Sequence, residues 1–324
     1  MTRRRIVCLL LLLAAAVAGA AIAAGLFAAR GRTRPLRLAY QNRIGAALCI
    51  VAAEKGFFAA EGVPVEAARF ESGPACSEAL YSGAADVADM GDTTAVILAS
   101  RGAPFRIIAG VGAGEHRHRL MVRQDSPIRL PPDLRGRRIA VKKGTSTYGG
   151  LLAYLAANSV PLADVKIVDL APGDMPAAMT AGAVDAFVAS EPTPSAAEER
   201  GARQLATMGG LGNTYPLVLM ARDDVLNARG EDIHKLLRAL RRAEAFVAER
   251  PDQTAEILAR VTGLAPPVAR RAMALHVYRL RLDEEVLRSL KRTAEFLKAE
   301  GQIEAVPDLS RAADGTYLPP ERRQ

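Results

Sequence analysis

The chain has 324 residues, half of them hydrophobic, which is enough for two compact lobes with separate cores and excludes a disordered chain. Its formal charge of +8 is concentrated in the first 35 residues, which hold six arginines and no acidic residue. The remainder carries 37 basic against 35 acidic residues, so it lacks the basic character expected of a nucleic-acid-binding protein.

The N-terminal 35 residues are predicted to be a targeting segment. A basic start at residues 3–5 precedes an apolar run at 6–29, the order typical of a secretory signal. Residues 18–20, Ala-Gly-Ala, fit a signal-peptidase site, but the apolar run is also long enough to span a bilayer. Residues 1–35 are therefore expected to be a cleaved signal peptide or a retained membrane anchor, with the protein at the periplasmic or extracellular face.

After residue 35, short runs rich in strand formers alternate with Ala- and Leu-rich stretches of helical period, which predicts an α/β fold with parallel sheets covered by helices. The predicted strands are 36–40, 63–70, 85–90, 106–111, 120–123, 138–141, 165–170, 186–189 and 215–221. The predicted helices are 46–55, 76–82, 148–158 and 175–181, followed by a mostly helical region at 232–300. Since the pattern starts again at Arg138, we expect two α/β lobes. The polar stretch from Val306 is expected to be a loosely held tail.

The sequence offers little support for catalysis, a cofactor or a metal. It has three cysteines, no CxxC pair and no Cys/His cluster, and it lacks GxSxG, HExxH and P-loop patterns. The glycines at 110, 112 and 114 lack the third glycine of a dinucleotide-binding loop. Cys49 and Cys76 could form a disulfide in an oxidising compartment, but we expect their helices to cover opposite faces of the sheet.

The clearest candidate ligand site is the loop that follows the predicted strand ending at Val141. Ligands of open α/β sheets collect beyond the carboxyl ends of strands, where free N–H groups at helix N-termini favour an anion. This loop brings hydroxyl groups, amides and two lysines together just before a predicted helix. Capping of that helix by the hydroxyl groups is the alternative. The candidate ligand-binding residues here are Gly144, Thr145, Ser146 and Thr147.

Three loops of the first lobe have the same strand-to-helix position. Gln41 and Arg43 follow the first strand, and an arginine there could make a bidentate contact with a sulfonate or carboxylate or could simply be solvated. Ser72 and Gly73 open the second helix in the same way. A third loop contains Asp92, Thr93 and Thr94, where capping by Asp92 is as plausible as ligand contact.

Several of these segments resemble one known family. The residues Glu54-Lys55-Gly56-Phe57-Phe58 with Glu61-Gly62-Val63 are similar to a signature of the nitrate/sulfonate/taurine type of ABC-transporter substrate-binding proteins, which includes binders of thiamine-pyrimidine precursors. The resemblance continues, in order and spacing, through residues 70–73, 82–87, 91–94, 133–141, 182–186 and 191–192.

This resemblance implies a two-lobed periplasmic-binding-protein fold of type II, with two hinge-crossing strands and a ligand cleft between the lobes. Residues 36–120 and 220–305 would form lobe I, residues 121–219 lobe II, and residues 306–324 the tail. The hinge strands would lie near 118–123 and 215–221. Such lobes close on a ligand by hinge motion, and the closed form is what a transporter would recognise.

The resemblance also bears on individual residues. Thr93 is favoured as a ligand contact because family members offer small hydroxyl residues there. Glu191 corresponds to an acid that family members carry before a proline; it could meet an ammonium group of the ligand or pair with an Arg or Lys of the protein. Many relatives have Trp at the position of Ser190, so aromatic stacking from that loop is absent. His116 could face the cleft or lie exposed beside the hinge.

The function that follows is capture of a small organic anion or zwitterion for an ABC importer, by a monomer that meets a membrane permease and uses no cofactor. One alternative is a pyrimidine-precursor binder, or an enzyme on the same fold. The related fungal enzymes carry a cysteine-rich iron-binding segment and a pyridoxal-binding lysine, and the separated Cys49 and Cys76 do not match that segment. Another is a membrane-anchored sensory binding module, which a retained N-terminal segment would allow.

Overall fold

Ten strands form two five-stranded sheets in the computed structural model, which describes residues 34–320. The predicted targeting segment up to residue 33 lies outside the described residues. The strands are β1 (Leu36–Gln41), β2 (Val65–Phe70), β3 (Val87–Gly91), β4 (Phe105–Gly112), β5 (Arg119–Arg123), β6 (Arg138–Val141), β7 (Lys166–Asp169), β8 (Ala186–Ala189), β9 (Ala202–Thr207) and β10 (Leu217–Arg222). The first sheet has the order β2-β1-β3-β10-β4 and the second the order β7-β6-β8-β5-β9. We call the first sheet with its helices lobe I and the second lobe II.

One strand in each sheet runs against its neighbours. β10 is antiparallel to β3 and β4, and β5 is antiparallel to β8 and β9, whereas β1 and β6 pair in parallel with both their neighbours. Each reversed strand is the first to follow a crossing from the other sheet. It therefore enters its sheet where the parallel strands end and must run the opposite way. The α/β class and the two-lobed fold are confirmed, but the prediction of parallel sheets is wrong for β5 and β10.

Helices cover both sheets, and two begin earlier than predicted because a side chain caps them. Ser72 Oγ accepts the Ala75 N–H and Thr145 Oγ1 accepts the Tyr148 N–H, which starts the two helices at residues 73 and 146.

No helix among the described residues is long and apolar enough to span a membrane. The helices are α1 (Ala47–Glu54), α2 (Phe57–Ala60), α3 (Gly73–Tyr81), α4 (Asp92–Ser100), α5 (Ser146–Ala157), α6 (Met175–Thr180), α7 (Thr193–Glu198), α8 (Asp223–Glu249), α9 (Pro251–Thr262), α10 (Pro266–Met273), α11 (Glu284–Ala299) and α12 (Leu309–Ala312).

Each sheet separates two hydrophobic clusters, one against each face. In lobe I, Cys49 of α1 belongs to one cluster and Cys76 of α3 to the other. Both thiols are buried and unpaired, and burial raises the pKa of each well above its usual value. The expectation that the two cysteines lie on opposite sheet faces is confirmed, so no disulfide joins them.

An arginine and an aspartate fasten one strand of each lobe, β1 and β6, in the same way. In lobe I, Asp86 accepts the backbone N–H of Arg37 at 2.9 Å and its Nη2–H at 2.7 Å. In lobe II, Asp185 accepts the backbone N–H of Arg138 at 2.8 Å and its Nη2–H at 3.0 Å. The aspartates of the matching segments 82–87 and 182–186 therefore hold the sheets together rather than contact a ligand.

Replacing these aspartates tests that role. Asp86→Asn is expected to lower the free energy of unfolding by roughly 1 to 3 kcal/mol, because it weakens hydrogen bonds to a buried charged group. Asp185→Asn should cost less, since the Asp185 side chain is 27% exposed against 3% for Asp86. Urea denaturation of both variants measures the difference, and equal costs would contradict it.

The effect of Asp185 should also depend on pH. Its hydrogen bond with Arg138 lowers the pKa of the Asp185 carboxyl in the folded protein. In the unfolded protein the pKa of an aspartate is about 4, and a lower pKa in the folded protein stabilises the fold at pH values above about 4. This stabilisation is lost as the pH falls through the pKa of the folded state. The stability gap between the wild type and Asp185→Asn should therefore close in acid.

The chain passes between the sheets twice, at residues 113–118 and 208–216. Because β5 lies within the second sheet and β10 within the first, these crossings fall next to the predicted hinge strands rather than in them.

The end of the chain differs more from expectation. Asp314 donates its N–H to the Ile107 carbonyl of β4, and His234 of α8 contacts the Tyr317 carbonyl at 3.0 Å. The expectation of a loosely held tail is wrong for this segment, which packs against lobe I.

Candidate functional site

A cavity of about 170 Å³ lies between the two lobes, at the carboxyl ends of β1, β6 and β8. Lobe I contributes the residues after β1 and the start of α3, and lobe II contributes the loops after β6, β7 and β8. This is the position that strand-end loops predict for a ligand. The lining residues are Gln41, Asn42, Arg43, Glu71, Ser72, Lys142, Thr145, Thr147, Pro172, Gly173, Val188, Ala189, Ser190, Glu191, Pro192 and Thr193.

Arg43 brings an uncompensated set of donors to this cavity. Its Nε and Nη2 are buried and have no hydrogen-bond partner among the described residues. Burial lowers the pKa of the Arg43 guanidinium, while the carboxylates of Asp89 and Asp92 act at longer range in the opposite direction. A guanidinium stays protonated in proteins. The cavity wall therefore holds a cation, and its Nε and Nη2 atoms donate to no described residue.

Gln41 is fixed beside Arg43 by a buried carboxylate. Its Nε2 donates to Asp89 Oδ2 at 3.0 Å, and its backbone N–H points to the same oxygen at 3.4 Å. Burial raises the pKa of Asp89, and the Arg43 charge partly offsets that increase. Asp89 thus balances part of the Arg43 charge without forming an ion pair with it.

The loop after β6 is arranged by its own hydroxyl groups. Thr145 Oγ1 donates to the Lys142 carbonyl at 2.6 Å, accepts the Tyr148 N–H at 3.3 Å and lies 2.6 Å from Thr147 Oγ1. Thr145 therefore caps α5, as the alternative interpretation predicted, while both threonines also line the cavity. The Lys142 ammonium lies 3.2 Å from Asp169, so this second cation is already paired.

Other predicted site residues join the lobes instead of lining the cavity. Thr94 Oγ1 of α4 donates to the Gly144 carbonyl of lobe II at 2.7 Å. Ser146 packs against Gly91, where an added Cβ would lie 2.0 Å from Ser146 Oγ. In the same interface Thr93 packs against Gly149, and Gly73 lies beside Thr94. Thr93, Thr94, Gly144 and Ser146 thus mark the contact between the closed lobes, and Gly73 packs beside Thr94 within lobe I.

Asp92 and His116 have other surroundings. The buried Asp92 Oδ2 accepts the Thr293 hydroxyl at 2.7 Å and the Asn213 amide at 3.3 Å, and its side chain does not cap α4. The capping interpretation of Asp92 is wrong, because its carboxylate is turned toward α11 and the second crossing. His116 is exposed, with Nδ1 2.8 Å from Thr207 Oγ1, and lies outside the cavity lining.

Glu191 lines the cavity but is already neutralised. Its Oε1 accepts from Arg119 Nη1 at 2.7 Å, and its Oε2 accepts the Ser195 N–H at 3.1 Å. The side chain is 2% exposed in this ion pair. Of the two possibilities left open by the sequence, the structure shows pairing with an arginine of the protein. Glu191 therefore gives no reason to expect an ammonium group on the ligand.

Sequence reasoning missed part of the lining. Asn42, Glu71, Lys142, Ser190, Pro192 and Thr193 flank predicted positions, so wider windows around the same loops would have included them. Pro172-Gly173 follows β7, where a Pro-Gly pair indicates a loop at the same sheet edge. Val188 and Ala189 end β8 and give no polar signal.

The chemistry available in the cavity is that of anion binding. Among the described residues, its lining contains hydroxyl groups, amides, Arg43, Lys142 and the carboxylates of Glu71 and Glu191, and no Cys, His or aromatic side chain. Among residues 34–320, no group of three or more His, Cys, Asp or Glu is placed to hold a metal ion.

Comparison with known proteins places these features in a family. The NMT1/THI5-like family model matches residues 45–254. A 200-residue stretch is 30% identical to an Escherichia coli protein that carries the provisional name aliphatic sulfonates-binding protein, and it covers 61% of this chain and 62% of that protein. The chain thus spans less than two thirds of this relative's length.

Solved structures share the fold over nearly the whole described chain. The alkanesulfonate-binding protein SsuA from Xanthomonas axonopodis pv. citri, bound to MOPS, superimposes with a TM-score of 0.81 at 26% identity, covering 87% of this chain and 99% of that one. The desulfurization enzyme DSZB has a TM-score of 0.66 at 19% identity, covering 87% and 97%, which shows a common fold alone. With a family model that matches well over half of its residues, the chain belongs to the NMT1/THI5-like family.

Proposed function

We propose that this protein is the extracytoplasmic binding component of an ABC importer and captures a small organic sulfonate in the cavity between its lobes. The observation that carries the proposal is the Arg43 guanidinium at the wall of that cavity, with buried Nε and Nη2 atoms that have no partner within residues 34–320. A buried donor without an acceptor costs about 1 to 3 kcal/mol, and more when charged, so a bound anion would remove that cost. SsuA, which has the same fold, is an alkanesulfonate-binding protein.

A sulfonate suits the donors in this cavity because it presents three acceptor oxygens and one negative charge. Arg43 can approach two of those oxygens with its planar fork. Ser72 Oγ accepts the Ala75 N–H, which leaves the hydroxyl proton of Ser72 free to donate to a ligand. The Thr145 hydroxyl already donates its proton to the Lys142 carbonyl, so Thr145 lines the cavity without a proton to donate to the ligand.

Binding without chemical change is the mode that this lining supports. An enzyme on the same fold would need a nucleophile, an acid–base group or a cofactor site at the ligand. The lining offers no thiol or imidazole, its buried carboxylate Glu191 is neutralised by Arg119, and its other carboxylate, Glu71, is exposed to solvent. A pyrimidine-precursor binder is less favoured because the lining contains no aromatic ring for stacking.

Capture would be coupled to lobe closure. The crossings at 113–118 and 208–216 join the lobes, and the Thr94 hydroxyl bonds lobe II only when the lobes are together. We infer that the open monomer admits the ligand, that the closed monomer is what a membrane permease recognises, and that this exchange takes place outside the cytoplasm.

A thermal-shift screen of the exported protein tests the proposal. Taurine, ethanesulfonate and MOPS are expected to raise the unfolding midpoint, because a ligand at 100 times its Kd adds about 2.7 kcal/mol of stability. Nitrate, benzoate and an aminopyrimidine serve as comparison compounds. A shift with the aminopyrimidine and none with any sulfonate would overturn the assignment.

A further inference from the structure

His118 and Ser190 form a pair at the cavity wall, in which Ser190 lines the cavity and His118 lies behind it. β5 and β8 are antiparallel with Arg119 opposite Ala189, so His118 and Ser190 are the next facing positions. His118 Nδ1 lies 2.7 Å from Ser190 Oγ. Ser190 lines the cavity, whereas His118 is fully buried. A histidine that does not line the cavity thus holds a hydroxyl group that does.

The His118 ring is fixed in this position by the second crossing. It packs edge-on against Tyr215, with ring centroids 4.9 Å apart. The Tyr215 hydroxyl donates to the Met208 carbonyl at 2.6 Å, and the Met208 N–H donates to the His118 carbonyl at 2.9 Å. The ring therefore presents the same edge to Ser190 whenever this crossing keeps its conformation.

The surroundings of the ring indicate which nitrogen carries the proton. His118 Nε2 is buried and has no partner among the described residues. A proton on Nε2 would leave a buried N–H without an acceptor, whereas a proton on Nδ1 leaves only an unpaired lone pair, which proteins tolerate more readily. Burial and the nearby Arg117 and Arg43 charges hold the pKa of His118 well below its usual value, so the ring is neutral.

We propose that neutral His118 carries its proton on Nδ1 and donates to Ser190 Oγ, which leaves the Ser190 O–H free to donate to an oxygen of the bound anion. In the other tautomer the proton is on Nε2, so Nδ1 would accept the Ser190 O–H. The Ser190 oxygen would then face the anion with lone pairs only. No other described residue bonds the Ser190 hydroxyl. His118 is thus a positioning residue, and this role rests on the proposed capture of an anion.

Calorimetric titration with ethanesulfonate measures the effect of each side chain. Ser190→Ala is expected to weaken binding roughly 10-fold or more, the loss typical of a hydrogen bond to a charged group. His118→Leu, which cannot donate, should weaken binding several-fold, and adding it to Ser190→Ala should cause little further loss, because both act through one hydroxyl. His118→Asn, whose amide can replace the Nδ1 donor, should bind nearly as well as the wild type.

Two further measurements separate this role from a structural one. Tyr215→Phe loses the hydrogen bond to Met208 but keeps the ring against His118, so it should weaken binding less than His118→Leu does. Nitrogen-15 NMR of the His118 ring, assigned by its absence in His118→Leu, should show the proton on Nδ1.

The outcomes distinguish the two proposals. If the wild type binds no sulfonate, the proposed function fails. If it binds, but the proton is on Nε2 or the losses of Ser190→Ala and His118→Leu simply add, the role of His118 is overturned. A loss in Tyr215→Phe as large as in His118→Leu would likewise assign the effect to the crossing.

Discussion

Gly91→Ala is expected to weaken sulfonate binding by roughly 10- to 100-fold, because overpacking of 1 to 3 kcal/mol would oppose closure of the lobes. Gly91 ends β3 of lobe I and faces lobe II. A Cβ at Gly91 would lie 2.0 Å from Ser146 Oγ and 3.2 Å from Ser146 Cβ. The obstacle arises only when the lobes meet. Gly91 has an ordinary negative φ of −81°, so alanine causes no backbone strain.

A second substitution distinguishes blocked closure from misfolding. Ser146→Gly removes the obstructing side chain, so Gly91→Ala combined with Ser146→Gly should recover most of the affinity. Gly315→Ala is a matched control, since its Cβ would lie at least 3.9 Å from its neighbours, far from the cavity. Calorimetry gives the affinities, and small-angle scattering shows whether ligand still compacts each variant. Normal binding by Gly91→Ala would contradict the closed arrangement.

Arg43→Gln is expected to weaken sulfonate binding by roughly 100-fold, because loss of one partner of a buried, hydrogen-bonded charge pair costs 2 kcal/mol or more. Glutamine retains a polar end group but removes both the charge and the planar fork. Arg43→Lys should restore only part of the affinity, since an ammonium cannot make the bidentate contact.

Lys142→Met is the control for Arg43. Lys142 lines the same cavity, but its ammonium is already paired with Asp169 and its side chain is 32% exposed. The expected loss is less than roughly 5-fold, because such partly exposed pairs contribute little. Equal losses for Lys142→Met and Arg43→Gln would mean that the cavity responds to general positive charge, and that Arg43 is not the specific anion contact.

Much of the fold could be predicted because its signals are local. β8, and β6 after its first residue Arg138, are continuous apolar runs of the kind that a buried strand requires, and the bounds of both strands are as predicted. β9 was missed because it lies at a sheet edge and its sequence, Ala-Arg-Gln-Leu-Ala-Thr, is mostly half-exposed and polar. The reversal of β5 and β10 depends on where the crossings enter each sheet, which local sequence does not encode.

The candidate site shows the same division between local and long-range signals. Arg43 and Thr145 were found because they follow strands, and loops after strands converge at one sheet edge, whereas Glu191 was found through the family resemblance. Their partners depend on tertiary contacts between distant segments. Glu191 pairs with Arg119, 72 residues away, and Asp92 bonds Thr293, 201 residues away, so neither pairing has a signature in the sequence.

Calorimetric titration of the protein with ethanesulfonate, followed by recovery of the ligand, tests the central claim most directly. We predict one site per chain, with the affinity lost in Arg43→Gln, and ethanesulfonate recovered unchanged after prolonged incubation. Absence of binding to every sulfonate tested, or release of sulfite from the bound compound, would contradict capture without chemical change.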